Sequence, residues 1–160
     1  MLGRLARFTI RRRRPILVAS LVFVLAAGAF GGGSASISSA ISYASSHGGG
    51  TIAVESQSTA ASAILSDGAS VAGLGGFSGR ESSVSISWPA GEVRAGRLRW
   101  VIAESAAGPR LAGDTRAGSQ DAFAAVRRAC RAVSVSTGSS SVTMYDCLGR
   151  ADAIASAGGR

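Results

Sequence analysis

Lysine and asparagine are both absent from this 160-residue sequence, and histidine occurs once, at His47. The codons of the two missing residues are rich in adenine, so their absence indicates a GC-rich genome and says little about function. It also means that alanine, glycine, serine and arginine are frequent for reasons other than structure. His47 precedes three glycines that are expected to end a helix, so we interpret it as a solvated cap residue.

The sequence is also poor in the residue combinations that carry catalysis. The stretch Gly76–Arg80 resembles a nucleophile elbow, but its second glycine falls one residue early and His47 precedes Ser78 in the chain, which disfavours a hydrolase. Residues 73–78 approach a dinucleotide-binding pattern but end in serine and follow the second predicted strand. There is no Asp-x-Asp pair, and no two acids stand out as a glycosidase couple. We therefore expect no catalytic residues, no metal and no cofactor.

Acidic residues are missing from the first 14 positions, which hold six of the 17 arginines. Residues 37–160 hold the other eleven arginines and all nine acids, so that part carries +2 of the net charge of +8. A nucleic-acid-binding domain concentrates its positive charge on a folded face rather than in a terminal segment. We therefore expect no nucleic-acid partner.

One long hydrophobic run, residues 15–30, follows Arg11–Arg14 and precedes three glycines. Its length is at the short end for a membrane-spanning helix, and the arginines before it place the N-terminus inside the cell. We predict a basic cytoplasmic segment at residues 1–14, a transmembrane signal anchor at 15–33 and an extracytoplasmic domain at 34–160. The protein would then be a single-pass protein of the cell membrane; the alternative is a secreted domain, released by cleavage near Ala29.

Beyond the anchor, the sequence alternates between helical and strand patterns. A flexible joint is expected at Gly31–Ser36, followed by helices near residues 37–47, 56–68, 87–96, from 119 and from 149. Strands are predicted at 51–55, 71–74 and 98–103, and residues 133–136 and 142–145 are expected to form a hairpin. This alternation indicates a small three-layer α/β domain with a mainly parallel sheet.

Several residues define the expected ends and faces of these helices. Ser56 is expected to cap the second helix, whose C-terminal glycine would be Gly68. Ser87 before Pro89 is expected to start the third helix, and Ser119 to open the fourth. The predicted buried stripe of the second helix consists of Ala60, Ala61, Ile64 and Leu65.

The only two cysteines, Cys130 and Cys147, both lie in the predicted extracytoplasmic part. A pair of cysteines outside the cytoplasm usually forms a disulfide, and closing a loop of this length is worth about 3 kcal/mol in the chain-entropy model. Two buried free thiols are the alternative. A metal site is disfavoured because no histidine or third cysteine lies near the pair.

A candidate binding site follows from the expected parallel strands, because ligands collect at the carboxyl ends of such strands. The loop Gly75–Glu81 combines glycines with an aromatic ring (Phe77), a guanidinium (Arg80) and a carboxylate (Glu81). This combination suits a sugar or phosphate head group. The alternative is a loop that only holds the edge of the sheet through Arg80 and Glu81. The candidate residues are Glu55, Gly76, Phe77, Ser78, Gly79, Arg80, Glu81 and Glu104.

From about Ile37 to Ala155 the sequence resembles the C-terminal domain of actinobacterial membrane glycosyltransferases. These are ArnT-like, family-39-type enzymes, also described as mannosyltransferases of the YkcA/B-like kind. The resemblance is most specific at Gly76–Glu81 and is supported by the segments 48–54, 57–61, 96–101 and 145–147. Residues 1–33 resemble instead the N-terminus of MMPL-type transporters of the RND superfamily.

The resemblance implies the terminal soluble domain of enzymes that draw a sugar from a polyprenyl-phosphate donor. The multi-helix catalytic core of those enzymes is absent from this sequence. We therefore expect a membrane-tethered extracytoplasmic domain of mannosyltransferase type that is not catalytic on its own. Its expected partners are the membrane, through residues 15–30, and a polytopic glycosyltransferase core or cell-envelope glycan. The alternatives are a residual sugar-transferring activity, a glycan- or lipid-phosphate-binding module, or a fragment of a truncated or fused gene.

Overall fold

The structure, a computed structural model, describes residues 32–103, 115–137 and 140–158. Among the helices in these ranges, none combines the length and the hydropathy needed to cross a bilayer. The predicted anchor at residues 15–33 lies outside the described residues, except for its last two glycines, which begin the first described helix. The described elements are α1 (Gly32–Ser46), β1 (Ile52–Val54), α2 (Gln57–Asp67), β2 (Val71–Gly73), α3 (Ser87–Arg94), β3 (Trp100–Val101), α4 (Gln120–Ala129), β4 (Arg131–Thr137), β5 (Ser140–Asp146) and α5 (Ala151–Ser156).

The five strands form one sheet in the order β2-β1-β3-β5-β4. β1 is parallel to β2 and to β3, whereas β5 is antiparallel to both β3 and β4. The sheet is therefore mixed, and the prediction of a mainly parallel sheet is wrong. β4 and β5 form the predicted hairpin, and a short connection joins only antiparallel strands. Val142 and Met144 of the interior strand β5 are buried, whereas Val133 and Val135 of the edge strand β4 are only partly buried.

The three predicted layers are present. Alternate residues of each strand point to opposite faces, so Trp100 and Ile102 pack with α1 and α2 while Val101 and Ala103 pack with α3, α4 and α5. Phe123 of α4 and Ile154 of α5 anchor the second of these clusters. Both faces of the central strands are thus covered by helices, as expected for an α/β domain.

The ends of α2 follow the sequence prediction, but its buried face does not. The Ser56 side chain accepts a hydrogen bond from the amide of Thr59, and Gly68 ends the helix in the left-handed region at φ 61°. The buried residues are Ala60 and Ala63, whereas Ile64 and Leu65 are exposed. Small alanine side chains let the helix approach the sheet closely, and the larger residues point to solvent.

Two further predictions of local structure are wrong. Residues from Gly32 belong to α1 rather than to a flexible joint, and Ile37, Ala40 and Ala44 bury this helix against the sheet. The strand expected at 98–103 is reduced to Trp100–Val101. The predicted starts of α3 and α4 are confirmed, since α3 begins at Ser87 and Ser119 directly precedes α4, although neither helix has a side-chain cap.

The disulfide between Cys130 and Cys147 is present, with 4.8 Å between the two Cα atoms. Cys130 precedes β4 and Cys147 follows β5, next to the paired residues Arg131 and Asp146. The bond therefore closes the end of the hairpin opposite to its turn. The prediction of a bonded pair is confirmed.

Candidate functional site

The loop Gly75–Glu81, here called the carboxyl-edge loop, lies where the parallel strands β1 and β2 end. Gly75 donates a backbone hydrogen bond of 2.7 Å to the carbonyl oxygen of Glu55, directly after β1. A Cβ atom added to Gly79 would lie 3.3 Å from the Cβ of Glu55. The structure thus brings Glu55 and the loop together, as the sequence predicts, while Glu104 lies outside the described residues.

The first turn of α2 is bound to the carboxyl-edge loop. The amides of Gln57 and Ser58 donate to the carbonyl oxygens of Gly76 and Phe77, at 2.8 and 3.3 Å. The amide of Thr59 donates to the Ser56 hydroxyl. These amides are the ones that a helix N-terminus would offer to an anion. Because the loop carbonyls and the Ser56 hydroxyl already accept hydrogen bonds from these amides, the loop and Ser56 together cap α2.

Glu81 closes the carboxyl-edge loop from within. Its carboxylate accepts hydrogen bonds from the Ser78 hydroxyl, from the Ser78 amide at 2.9 Å and from the Arg80 amide at 3.3 Å. The hydrogen bonds from Ser78 lower the pKa of Glu81 to about 2. Arg116 adds a guanidinium 3.7 Å from the same carboxylate. A residue that the sequence offers as a ligand contact therefore holds the loop in its conformation.

Close backbone packing holds the other side of the loop. A Cβ atom at Gly118 would lie 2.2 Å from the carbonyl oxygen of Gly79, and Gly118 has a φ of 58° that favours glycine. A Cβ at Gly75 would meet the same oxygen at 2.2 Å. Both positions therefore require glycine, and the segment before α4 lies directly against the loop.

Ser119, which from the sequence alone is expected only to open α4, also binds the residues on both sides of the carboxyl-edge loop. Its side chain is buried, with 1% exposed, and its hydroxyl donates to the Leu74 carbonyl at 2.7 Å. The hydroxyl oxygen of Ser119 also accepts a hydrogen bond from the Val84 amide at 3.1 Å. Leu74 precedes the loop and Val84 follows it, so one hydroxyl ties the two flanks together.

The carboxyl-edge loop presents one large apolar group to solvent. The Phe77 side chain is 73% exposed, and Ser78 beside it is also exposed. Arg80 is half-buried. An aromatic ring on a fixed backbone can stack on a flat apolar surface such as the face of a sugar ring, with little loss of conformational freedom.

A second polar cluster, which the sequence does not predict, lies at the opposite edge, where β1 and β3 begin. Arg99 stacks over Trp100 at 4.5 Å and pairs with Asp146 at 3.3 Å, and Arg131 lies 3.6 Å from the same carboxylate. Partial burial acts to raise the pKa of Asp146, but the Arg99 hydrogen bond, the Leu148 amide and the two guanidinium charges outweigh it and lower that pKa. The paired charges join β3, β4 and β5.

His47 lies near this second cluster and is exposed, as expected of a cap residue. Its ring stacks on Tyr43 with 3.8 Å between centroids, and its Nδ1 lies 2.8 Å from the Tyr43 carbonyl oxygen. Tyr43 in turn meets Trp100 edge-on at 5.8 Å. Tyr43 and His47 are close in sequence, whereas Trp100 reaches Tyr43 only through the fold.

These features define a small three-layer α/β domain whose carboxyl edge is closed by a glycine-built loop. Its described residues contain no group of three metal-ligating side chains. Residues 40–128, from α1 into α4, match the family described as "putative mannosyltransferase YkcB-like, C-terminal", and the chain belongs to this family. No curated protein and no solved structure matches the chain.

The family match confirms the resemblance to the C-terminal domain of YkcB-like mannosyltransferases. The matched range includes Glu55 and the carboxyl-edge loop, and it ends before β4, β5 and the disulfide. The resemblance of residues 1–33 to MMPL-type transporters is not supported.

Proposed function

We propose that this chain is a membrane-tethered extracytoplasmic accessory domain that binds cell-envelope glycan or a polyprenyl-phosphate-linked sugar. In this proposal it does not transfer sugar by itself. Its membership of a mannosyltransferase C-terminal family supports the link to sugar transfer. The hydrophobic run at residues 15–30 and the arginines before it support the tether.

The exposed ring of Phe77 on a fixed loop carries the proposal. The loop is bonded to the first turn of α2 on one side and flanked by the Ser119 hydroxyl bonds on the other. A loop fixed before binding loses little entropy when a ligand arrives, so a single exposed ring contributes more to affinity. Phe77 is then the surface on which a sugar ring stacks.

Arg80 is the second contact in this proposal. Arg80 is half-buried and lies in the same loop as Phe77. A guanidinium binds a phosphate through a fork of two hydrogen bonds, which suits a polyprenyl-phosphate sugar. Glu81 has the separate role of holding the loop closed.

The binding role is tested by titrating the full chain, in neutral detergent micelles, with a polyprenyl-phosphate mannose and with a mannan oligosaccharide. Phe77→Ala is expected to weaken binding about ten-fold and to leave the melting temperature unchanged, because the ring is exposed. Leu65→Ala is the matched control, since this exposed apolar side chain lies on α2. Equal affinities for the two variants and the wild type would contradict the proposal.

Arg80→Ala separates a binding loop from a purely structural one. If Arg80 contacts ligand, the substitution weakens binding and leaves stability nearly unchanged. If the loop only holds the sheet edge, the same substitution lowers the free energy of unfolding by about 1–3 kcal/mol and leaves ligand affinity intact. The measurements are calorimetric titration and urea denaturation of the same protein sample.

The non-catalytic role has its own test. The full chain incubated with a polyprenyl-phosphate mannose and a glycan acceptor is expected to form no mannosylated product. The reason is that no catalytic constellation stands out in the sequence and the family match covers a C-terminal domain. Turnover that depends on the protein and disappears on heat denaturation would refute this part of the proposal.

A further inference from the structure

The two outer strands of the sheet differ in how they are protected against pairing with another chain. β2 is an edge strand of three residues, which is too short to template a long ladder. β4, at the other edge, has seven residues and pairs with β5 in an unbroken register. Natural proteins protect such edges with proline, central charges or bulges. β4 has none of these, and Arg131 at its end is its one charged residue.

The hydrogen-bond register shows which backbone groups of β4 point outward. The Cys147 amide bonds to the Arg99 carbonyl oxygen, so Cys147 and Tyr145 direct their backbone groups to β3. The intervening residues of β5 direct theirs to β4, where they meet Arg131, Val133 and Val135. The remaining β4 residues therefore turn their amides and carbonyls away from the sheet; they are Ala132, Ser134 and Ser136.

We propose that β4 is a self-association edge, through which two copies of this chain join their sheets by antiparallel β4–β4 pairing centred on Ser134. In this register Ser134 faces Ser134 of the second copy, and Ala132 faces Ser136. Every outward amide and carbonyl of these three residues then gains a partner, because each belongs to a hydrogen-bonded pair.

The side chains of β4 fit a second copy of the same strand. Val133 and Val135 are partly buried and lie on the face covered by α1 and α2. In the proposed register Val133 of each copy lies opposite Val135 of the other, so two apolar cross-strand pairs form on that face. The opposite face carries only small residues. Arg131 meets Thr137, so no like charges face each other.

The position of Ser134 allows a substitution that affects the proposed interface and spares the fold. Its amide points away from β5, so proline at this position removes an interface donor but no ladder bond within the domain. Lysine at Ser134 would place two like charges opposite each other across the symmetry axis. Ser134→Ala leaves the backbone donor intact and is the matched control.

The test measures the mass of the full chain in neutral detergent micelles by analytical ultracentrifugation over a range of concentrations. We expect a dimer for the wild type and for Ser134→Ala. Ser134→Pro and Ser134→Lys are expected to weaken the dimer at least about ten-fold, and added salt is expected to restore part of the lysine variant's dimer by screening. Thermal melting checks that each variant is folded.

Two results would overturn the inference. A wild-type chain that stays monomeric at all concentrations leaves β4 without the proposed partner. A dimer that is insensitive to both Ser134→Pro and Ser134→Lys is formed by another part of the chain, such as the hydrophobic segment. Neither result bears on glycan binding, because Phe77 lies in the carboxyl-edge loop rather than on β4.

Discussion

Ser119 shows how one hydroxyl group can determine the shape of a loop that it does not belong to. It accepts from Val84 and donates to Leu74, on the two sides of the carboxyl-edge loop. Ser119→Ala leaves the Leu74 carbonyl and the Val84 amide without this partner in a buried environment. We expect the free energy of unfolding to fall by about 1–3 kcal/mol, as measured by urea denaturation.

Ser85→Ala provides the control for this substitution, because Ser85 is exposed and its hydroxyl bonds only to that of Ser87 among the described residues. Its effect is expected to stay within about 0.5 kcal/mol. If the two alanine variants unfold at the same urea concentration, Ser119 does not hold the loop flanks in solution.

Glu81 makes the stability of the domain depend on pH in an acidic range. Its pKa is lowered from 4.5 to about 2 in the folded state by the hydrogen bonds from Ser78. A depressed folded-state pKa adds stability above the unfolded-state pKa, and this contribution is lost as the pH falls toward the folded-state pKa. The stability that the wild type has in excess of Glu81→Gln should therefore be lost between about pH 4.5 and pH 2.

Melting temperatures of wild type and Glu81→Gln, measured from neutral pH downward, test this dependence. The other carboxylates titrate in both proteins, so the difference between the two curves isolates Glu81. The difference is expected to be constant near neutral pH and to shrink in acid. A difference that stays constant to pH 2, or that grows in acid, would show that Glu81 is not held by Ser78.

Among the secondary-structure elements, the β4–β5 hairpin has a covalent link at the end away from its turn. The bond joins Cys130 and Cys147 across a sequence separation of 17. Reduction should lower the free energy of unfolding by about 3 kcal/mol, because the unfolded chain regains the conformations that the closed loop excludes. Denaturation with and without reductant measures the effect.

A variant with alanine at both cysteines serves as the reference for this experiment. It should unfold at the same denaturant concentration with and without reductant, and near the midpoint of the reduced wild type. A reductant effect that persists in the double variant would have to come from another source than the disulfide.

The predicted elements show what sequence patterns can and cannot specify here. Glycines and the Ser56 cap identified the C-terminal end of α1 and both ends of α2, because these signals act locally. The buried face of α2 was misassigned, because alanine satisfies a buried or an exposed position equally well in such a sequence. The β4–β5 hairpin was predicted, but the place of β5 between β3 and β4 was not, since no local sequence pattern indicates which strand a hairpin pairs with.

The candidate site likewise has features that the sequence predicts and features that it does not. The meeting of Glu55 with the loop followed from the rule that parallel strands end at one edge, and the structure confirms it. The roles of Ser119 and Gly118 depend on contacts between segments far apart in the chain. Such contacts leave no pattern in a single sequence beyond a glycine next to a serine.

For the whole molecule, the distribution of arginine predicts which side of the membrane the domain occupies. Arginines precede residues 15–30, so the part beyond Ser36 should lie outside the cytoplasm. A reporter enzyme that is active only after export, fused after Arg160, should be active in cells. The same fusion without residues 15–30 should be inactive, and activity confined to a cytoplasmic reporter would reverse the predicted topology.

The two-residue strand β3 has a consequence for the order of events in folding. It pairs at Trp100 with Ile52 on one side and with Asp146 on the other, so its neighbours come from distant parts of the chain in both directions. Contacts between distant residues form slowly because the intervening chain must first close. The β4–β5 hairpin is local by comparison and can form early. In an oxidising compartment Cys130 and Cys147 can therefore bond before β3 is in place, so that β3 docks late against a hairpin that is already covalently closed.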